Sequence, residues 1–348
     1  MDISKPPNST RPVRICVVGC GNWGKNLVRN FAALGHLYGI CESDPVRLAE
    51  LESQHQPKRA FSSFEDVLND PLVEAIALAT PAEAHHRMTI AALRAGKDAF
   101  VEKPLALDWR SGQEMVDTAR QHGRILMVGH LLRYHPAVLR IQQLLSEGVL
   151  GKIEYIYSNR LSMGKIRREE NALWSFAPHD ISVILSLLGQ SPVQVTATGG
   201  AYLQPNIADV TVSHLLFEHG VRAHIFVSWL HPYKEQRLVL IGSKQMIVFE
   251  DSRQDQKLVL FDKRIEVKDG MLEASKPAGT VVEFPPLEPL SAECSHFGWA
   301  VAHHAQPNTP GEEGVAVLSV LQACQRSLQM NGQPVALDPI SAHPLGRL

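Results

Sequence analysis

The sequence has little net charge and no long hydrophobic run. Its 34 lysines and arginines nearly balance 36 aspartates and glutamates, and the formal net charge of −2 excludes the strong basic field that holds nucleic acid or an anionic membrane surface. The longest apolar stretches, 73–79 and 181–188, are far shorter than the ~20 residues of a bilayer span. We therefore expect neither a nucleic-acid partner nor a membrane partner.

The cysteines lack the pattern of a disulfide framework or a metal site. They are odd in number, scattered, and without a C-x-x-C pair: Cys16, Cys20, Cys41, Cys294 and Cys324. The 16 histidines include adjacent pairs, such as His85-His86, whose side chains point to different faces of a helix or strand. The N-terminal segment lacks the apolar core of a signal peptide. These features predict reduced thiols, no bound metal and a cytoplasmic location.

The composition predicts a globular chain of two domains. With 348 residues, 45% of them hydrophobic, the chain can bury two sizeable cores. Up to residue 128, apolar strands alternate with helical segments, which is typical of a parallel, doubly wound sheet. In the remainder, 129–348, strands follow one another and only two helices, 180–188 and 314–329, are visible. We predict an α/β fold whose C-terminal α+β domain has a large open, mainly antiparallel sheet.

A glycine motif follows the first predicted strand and opens the first predicted helix. Gly19, Gly21 and Gly24 have the spacing G-x-G-x-x-G. Gly19 permits a tight turn, Gly21 lets a pyrophosphate approach the backbone, and Gly24 lets helix and strand pack closely. A glycine-rich turn without a ligand is the alternative. The strand and helix around the motif favour a Rossmann dinucleotide-binding domain over residues 1–128.

Glu42 ends the second predicted strand, 18 residues after Gly24. At about this spacing, a carboxylate accepts hydrogen bonds from the adenosine ribose of NAD and repels the additional phosphate of NADP. The next residue, Ser43, offers no cation, and Arg47 is too far along the following helix to be assumed in reach. The sequence therefore predicts NAD as the cofactor.

The tetrapeptide Val-Glu-Lys-Pro, 101–104, ends a strand at the carboxyl edge of the predicted sheet. Lys103 can reach the nicotinamide end of a cofactor there and hold a substrate oxygen, while Pro104 fixes the next turn and is a candidate for a cis peptide bond. A solvated Glu-Lys pair in a loop is the alternative. The dinucleotide motif upstream favours the catalytic interpretation.

A basic segment, 160–168, lies early in the second predicted domain. Arg160 and Arg167 can clamp an anionic substrate group, because the guanidinium fork matches phosphate oxygens. A solvated basic loop is an equal alternative.

Several segments together resemble the Gfo/Idh/MocA oxidoreductases across most of the chain. They are 17–24, Thr80-Pro81 with His85, Glu102-Lys103-Pro104, Gly129-His130 with Arg133-Tyr134, 174–180, and Glu293 with His296-Phe297. The resemblance implies a Rossmann domain, a sheet used in oligomer contacts, bound NAD, and Lys103 and His179 as the catalytic pair. The candidate cofactor contacts are Gly19, Gly21, Asn22, Trp23, Gly24, Glu42, Thr80, Pro81, His85, Glu102 and Lys103. The candidate substrate contacts are Lys103, Arg133, Arg160, Arg167, Asn171 and His179.

One position departs from the family pattern. Many members carry an Asp four residues before the catalytic His, on the same helical face, whereas this chain has Ser175. Lys103 or Asp180 then remains as the electrostatic partner of His179. A structural histidine at a helix start is the alternative for His179.

The segments 22–24 and 171–180 resemble the family branch that acts on nucleotide-linked amino sugars. This resemblance implies NAD-dependent oxidation of UDP-N-acetylglucosamine at C3, to the 3-keto sugar, for lipid A or other cell-surface polysaccharide. The alternatives are a dehydrogenase of the corresponding UDP-sugar uronic acid, an inositol or free-sugar dehydrogenase, and a non-catalytic dinucleotide sensor. A sensor needs neither Lys103 nor His179, so their presence favours the enzyme.

The two candidate catalytic residues suit complementary roles. An imidazole has an ordinary pKa near ~6.5, so His179 suits a base, and the ammonium of Lys103 suits a developing alkoxide. The roles can also be shared or reversed. Large apolar groups on both faces of the predicted strand 221–229 further predict a homo-oligomer, either a dimer or a tetramer.

Overall fold

The computed structural model describes residues 11–262, 265–274 and 278–337. The outer ends of the two predicted domains, 1–10 and 338–348, lie outside these residues. One compact unit contains the described residues up to His135 and a returning segment, Leu287–Ser319. The other contains Pro136–Pro286 and the described residues from Val320 on. This division differs from the single boundary expected between residues 128 and 129, because a distant downstream segment packs with the first unit.

The first unit alternates strands and helices around one parallel sheet. Its elements begin with β1 (Ile15–Val18), α1 (Gly24–Ala33), β2 (Leu37–Cys41), α2 (Pro45–His55), β3 (Arg59–Phe61), α3 (Phe64–Asn69), β4 (Ala75–Leu78), α4 (Ala82–Arg94), β5 (Asp98–Glu102), α5 (Trp109–Gln121) and β6 (Leu126–Gly129). The strands pair in parallel in the order β3-β2-β1-β4-β5-β6. Every residue of β1 and β4 is buried, which explains their continuous apolar sequences. The predicted doubly wound sheet is confirmed, and its order reverses beside β1 and β4, where such sheets bind ligands.

The second unit is built on a mixed sheet of nine described strands. Its elements are α6 (Pro136–Ser146), β7 (Ile153–Met163), α7 (Ala172–Leu188), β8 (Gln194–Gly200), β9 (Val210–Leu216), β10 (Arg222–Ser228), β11 (Leu230–Gly242), β12 (Gln245–Glu250), β13 (Leu258–Asp262), β14 (Ile265–Lys268), β15 (Met271–Ala274), β16 (Thr280–Val281) and, near the end of the chain, β17 (Val335–Ala336). The order is β16-β13-β12-β11-β7-β10-β9-β8-β17, and β14 and β15 form a separate pair. Within the described sheet, β7 and β10 are parallel and the other neighbours antiparallel. The mainly antiparallel sheet is confirmed.

Two further helices, α8 (Pro289–His303) and α9 (Gly311–Gln329), follow the main strands of the second unit. α8 was not predicted, and it belongs to the first unit. Its Phe297 packs against Phe31 of α1 and Phe100 of β5, with ring centroids 6.4 and 5.7 Å apart. All three rings are fully buried, and burial stabilises by about 1.5–3 kcal/mol for each ring. This aromatic core holds α8 against the Rossmann sheet.

Helix α7 begins earlier than the predicted helix 180–188. The Asn171 side chain caps it by accepting from the Trp174 backbone N–H at 3.1 Å, and Gly189 ends it in the left-handed conformation. Pro178 lies inside the helix, although its missing N–H usually disfavours that position. His179 is therefore an interior residue of α7 and not a helix-start residue. Among the helices that the structure describes, none combines the length and apolar character needed to cross a membrane.

Candidate active site

The glycine motif forms the turn between β1 and α1, and its three glycines meet different surroundings. Gly19 has a φ of +82°, and a Cβ there would lie 2.9 Å from the Thr80 backbone nitrogen. A Cβ on Gly24 would lie 1.9 Å from the carbonyl oxygen of Gly19. A Cβ on Gly21 would meet no described atom within 4 Å. The fold itself thus requires Gly19 and Gly24, whereas Gly21 leaves room that a pyrophosphate can use.

Glu42 lies at the end of β2, directly beside the glycine turn. Its Oε2 accepts from the Cys20 backbone N–H at 2.9 Å, and its Oε1 accepts from the Asp44 backbone N–H at 3.0 Å. Arg47 Nη1 lies 3.3 Å from Glu42 Oε2. Burial alone would raise the pKa of Glu42, but these backbone hydrogen bonds and Arg47 hold it below its ordinary value. From the sequence, Arg47 could not be assumed to reach Glu42, but its position in the first turn of α2 allows the long side chain to contact the strand end.

Thr80 and Pro81 connect β4 with α4 on the other side of the turn. The Thr80 hydroxyl is buried and has no hydrogen-bond partner among the described residues. His85 is also buried, and its ring nitrogens lie 2.9 Å from the Thr80 carbonyl oxygen and 2.8 Å from that of Pro104. Burial lowers the pKa of His85. A neutral imidazole has one N–H, so His85 donates to one of these two carbonyl oxygens at a time. Its contact with a cofactor stays a prediction.

Lys103 follows β5 and is half-buried, and its peptide bond to Pro104 is cis. The preceding residue, Glu102, accepts a hydrogen bond from the indole N–H of Trp23 in the glycine turn. Asn22 and Trp23 themselves are exposed. The glycine turn and the lysine segment, far apart in sequence, are thus directly joined.

Glu102 and Glu293 of α8 form a buried carboxyl pair. Burial raises the pKa of Glu102 to about 7, although Trp23 and Lys103 lower it. Burial, and then the charge of Glu102, raises the pKa of Glu293 well above its ordinary value. Neither carboxyl oxygen of Glu293 has a hydrogen-bond partner among the described residues. Burial and mutual repulsion therefore disfavour the state in which both carboxyls are ionised. Glu293 is one of the residues that resemble the family pattern, but the sequence did not indicate that it pairs with Glu102.

The edge of the sheet around β1 and β4 fits a dinucleotide. Gly21 leaves open space in the turn before α1, the buried Thr80 hydroxyl remains available, and Glu42 places a carboxylate at the end of β2. In a bound dinucleotide, the space at Gly21 would hold the pyrophosphate and Glu42 would contact the adenosine ribose. The Thr80 hydroxyl would face a polar group beside the pyrophosphate. A bound NAD would supply a nicotinamide ring that accepts a hydride.

Arg133, also in the first unit, retains unused donors. Its Nη2 lies 3.5 Å from the Asn308 carbonyl oxygen and 3.7 Å from Glu313. Its buried Nε and Nη1 have no hydrogen-bond partner among the described residues. Unpaired buried donors of a cation are costly, so Arg133 remains a candidate for contact with an anionic or carbonyl group of a ligand.

In the second unit, α7 carries His179 and Ser175 four residues apart, on one helical face. His179 is half-buried and Ser175 buried. A serine hydroxyl carries no charge, so the electrostatic support that an Asp gives in many family members is absent at this position. Asp180, the alternative partner for His179, is engaged elsewhere.

Asp180 forms a buried ion pair with Arg160. Arg160 Nε donates to Asp180 Oδ2 at 2.8 Å and Nη2 donates to Oδ1 at 3.0 Å. Ser158 Oγ also donates to Asp180 Oδ1, at 2.6 Å. The guanidinium fork that the sequence assigned to a substrate anion is therefore occupied, and Arg160 holds strand β7 to helix α7.

Asn171 and Arg167 also have structural contacts. Besides capping α7, Asn171 donates through Nδ2 to Gln325 Oε1 at 2.8 Å, and the Trp174 indole donates to the same oxygen at 3.2 Å. Both polar atoms of the Asn171 amide are thus engaged, which opposes the substrate contact expected of it. Arg167 Nε lies 3.1 Å from Glu170 on a partly exposed segment, and it stays a candidate.

The described residues contain no group of three or more His, Cys, Asp or Glu side chains suited to a metal ion. The five cysteines are buried thiols outside any disulfide.

Two family models match the chain. One is described as "Oxidoreductase family, NAD-binding Rossmann fold" and matches residues 13–130. The other, "GFO/IDH/MocA C-terminal domain", matches residues 138–248. Together they cover more than half of the chain.

Three relatives illustrate the similarity. UDP-N-acetylglucosamine 3-dehydrogenase of Acidithiobacillus ferrooxidans is 26% identical over 314 residues, covering 88% of this chain and 94% of that protein. Its solved structure superposes with a TM-score of 0.80 at 24% identity, covering 92% and 99% of the two chains. The scyllo-inositol 2-dehydrogenase (NAD(+)) of Bacillus subtilis is 25% identical over 343 residues, covering 94% and 96%. The WlbA dehydrogenase of Bordetella pertussis, solved with NADH and UDP-GlcNAcA, has a TM-score of 0.76 at 23% identity and coverages of 94% and 99%.

These relatives are named dehydrogenases, which favours an enzyme over the non-catalytic sensor. The dinucleotide-binding turn, the carboxylate at the end of β2 and the lysine after β5 provide the matching chemistry within this chain. The chain therefore belongs to the Gfo/Idh/MocA family of NAD-dependent oxidoreductases that act on sugars and polyols.

Proposed function

We propose that the protein oxidises a secondary hydroxyl of a nucleotide-linked amino sugar, with C3 of UDP-N-acetylglucosamine as the reacting carbon. The observation that carries the proposal is Lys103, which follows β5 beside the dinucleotide-binding turn and is tied to that turn through Glu102 and Trp23. A nucleotide-sugar substrate is supported by the names of two relatives. The 3-keto product would serve the biosynthesis of lipid A or another cell-surface polysaccharide.

The alternatives are a UDP-sugar uronic acid and an inositol. The first is supported by the ligand of the Bordetella relative, and the second by the inositol dehydrogenase, which is similar over as much of the chain. One carboxylate more or less on a sugar is read by one or two side chains.

The proposed chemistry requires a base and a cation. Oxidation of a secondary alcohol to a ketone removes a hydride from carbon and a proton from oxygen. We assign the proton to His179, whose imidazole suits a base at neutral pH. We assign the developing negative charge on oxygen to the Lys103 ammonium. In the reverse assignment, a desolvated Lys103 takes the proton.

A panel of UDP-sugars and inositols, incubated with NAD, tests the substrate. Reduced cofactor is followed by absorbance and the ketone is identified by mass spectrometry. Formation of a 3-keto sugar from UDP-N-acetylglucosamine supports the proposal. Turnover of inositols alone would overturn it.

Variants test the catalytic pair. Lys103→Met and His179→Ala should each lower kcat by roughly 10²–10⁴-fold with little change in NAD affinity. Lys58→Met and His122→Ala, which alter exposed side chains of the first unit, serve as controls and should keep full activity. If NAD binding falls together with activity in His179→Ala, that residue is structural and the assignment fails.

We also propose a homo-oligomer, a dimer or tetramer, joined through the sheet of the second unit. Helix α7 packs against β7, β9 and β10. The alternating pattern of β10 leaves His224 and Phe226 half-buried, and Tyr157 stacks on His224 at 5.3 Å. A half-buried aromatic face of this kind is typical of a contact surface. Sedimentation of the wild type as a monomer at micromolar concentration would contradict this, and Phe226→Glu should dissociate the oligomer.

A further inference from the structure

Arg47 contacts Glu42, the carboxylate that is expected to distinguish NAD from NADP. The two oxygens of Glu42 already have four contacts: Cys20 N–H at 2.9 Å and Arg47 Nη1 at 3.3 Å on Oε2, and Asp44 N–H at 3.0 Å and the Ser43 hydroxyl at 3.3 Å on Oε1. The carboxylate is 7% exposed. These contacts hold the carboxylate in one orientation. A bound ribose would have to share the carboxylate oxygens with these donors of the protein.

The contacts of Arg47 differ from the backbone contacts in strength. Its side chain is 45% exposed and also lies 3.5 Å from Asp44 Oδ2. The pair with Asp44, whose side chain is 44% exposed, contributes little and is screened by salt. If Arg47 turns away from Glu42, the buried carboxylate keeps the Cys20 and Asp44 amides as donors, because these belong to the backbone.

NAD and NADP make opposite demands on this group. The ribose hydroxyls of NAD donate to the carboxylate, so they compete with Arg47 for Glu42 Oε2. The 2′-phosphate of NADP brings negative charge toward Glu42, which repels it, but an arginine fork can bind phosphate oxygens in a bidentate manner. Arg47 thus weakens the contact between Glu42 and NAD, whereas its contact with the 2′-phosphate of NADP is favourable.

We propose that Arg47 is a cofactor-specificity residue. It reduces the preference for NAD over NADP that Glu42 sets, and it enables the protein to bind NADP as well. The proposal concerns the dinucleotide site and is independent of which sugar is oxidised. It predicts that wild-type protein binds NADP measurably and that this binding weakens steeply with salt.

Calorimetry with NAD and with NADP, without substrate, tests the proposal. In Arg47→Ala the Kd for NADP should rise at least about tenfold, the loss expected for a charge-assisted contact. The Kd for NAD should stay within about threefold or decrease. Arg47→Lys, which retains charge but lacks the fork, should fall between wild type and Arg47→Ala for NADP.

Arg120→Ala is the matched control. Arg120 is an exposed arginine of the first unit that pairs with Asp117 and Glu312, and its removal should leave both Kd values unchanged. Equal losses for NAD and NADP in Arg47→Ala would show that Arg47 only supports the fold of the strand end. Absence of NADP binding to the wild type at millimolar concentration would also overturn the proposal. NAD binding itself reports that each variant is folded.

Discussion

Replacing Arg160 by methionine removes the cation that balances Asp180 inside the second unit. The Arg160 side chain is 14% exposed and that of Asp180 is 5% exposed, and two hydrogen bonds of 2.8 and 3.0 Å join them. Removing one partner of a buried pair leaves an uncompensated charge and costs about 3–5 kcal/mol, compared with about 0–1 kcal/mol at a surface. Methionine retains most of the side-chain volume, so the loss reports on charge and not on a cavity.

Thermal unfolding followed by circular dichroism measures the effect. For a unit of this size, each kcal/mol lowers Tm by about 2–4 °C, so Arg160→Met should lower Tm by roughly 6–20 °C. Arg167→Met is the control, because Arg167 pairs with Glu170 on a side chain that is 35% exposed and its loss should cost less than about 1 kcal/mol. The double variant Arg160→Met/Asp180→Leu, which removes both charges, should recover most of the stability.

A different outcome would refute this reasoning. If Arg160→Met keeps the wild-type Tm but raises the KM for the sugar substrate, Arg160 is a substrate clamp, as the sequence suggested, and its contact with Asp180 is incidental. The stability and KM readouts separate these two roles because each role moves only one of them.

Three further predictions concern the first unit. Gly19→Ala should lower Tm, since its Cβ would meet Thr80 at 2.9 Å, whereas Gly21→Ala should keep Tm and raise the Kd for NAD; equal effects would contradict the assigned roles. Folding raises the pKa of Glu102 to about 7 and that of Glu293 well above its ordinary value, so stability to urea should fall as pH rises from about 4.5 through 7. Glu293→Gln should make this decline shallower, and an unchanged slope would count against the buried pair. His85→Leu, which loses both carbonyl contacts, should raise the Kd for NAD and lower kcat; a loss of stability alone would make it a simple core residue.

The features that the sequence predicted well are local. Strands β1 and β4 are uninterrupted apolar runs because both of their faces are buried. The glycine motif spans six residues between a strand and a helix, so these neighbouring elements indicate its role. The same holds for Lys103-Pro104 at a strand end, where the cis bond also occurs.

The features that it missed depend on contacts between distant segments. Leu290, Cys294, Phe297 and Val301 of α8 recur at helical spacing and are buried, so the helix itself has a signal that sequence reasoning could have found. Its packing against the first unit, and with it the pairing of Glu293 with Glu102, has no local signal. The predicted helix 180–188 begins later than α7, whose interior includes Pro178, a position that proline usually disfavours.

The surroundings of three arginines show why their roles were hard to predict. A sequence shows that a guanidinium is present, but whether its donors are available depends on the acceptors that folding brings to it. Arg160 is bound by Asp180, and Arg47 reaches Glu42, while Arg133 retains buried donors without partners among the described residues.

The contacts among the loops of the first unit explain how the cofactor site can be formed before ligand binds. Trp23 donates to Glu102, Cys20 donates to Glu42, and His85 lies between the carbonyl oxygens of Thr80 and Pro104. Each contact joins loops at the carboxyl ends of different strands through atoms of the protein itself, so ordering of these loops does not have to accompany binding. Glu102 directly precedes Lys103, so its hydrogen bond with Trp23 links the glycine turn to the residue next to the candidate catalytic lysine. Substitutions at Trp23 should therefore alter kcat as well as the affinity for NAD.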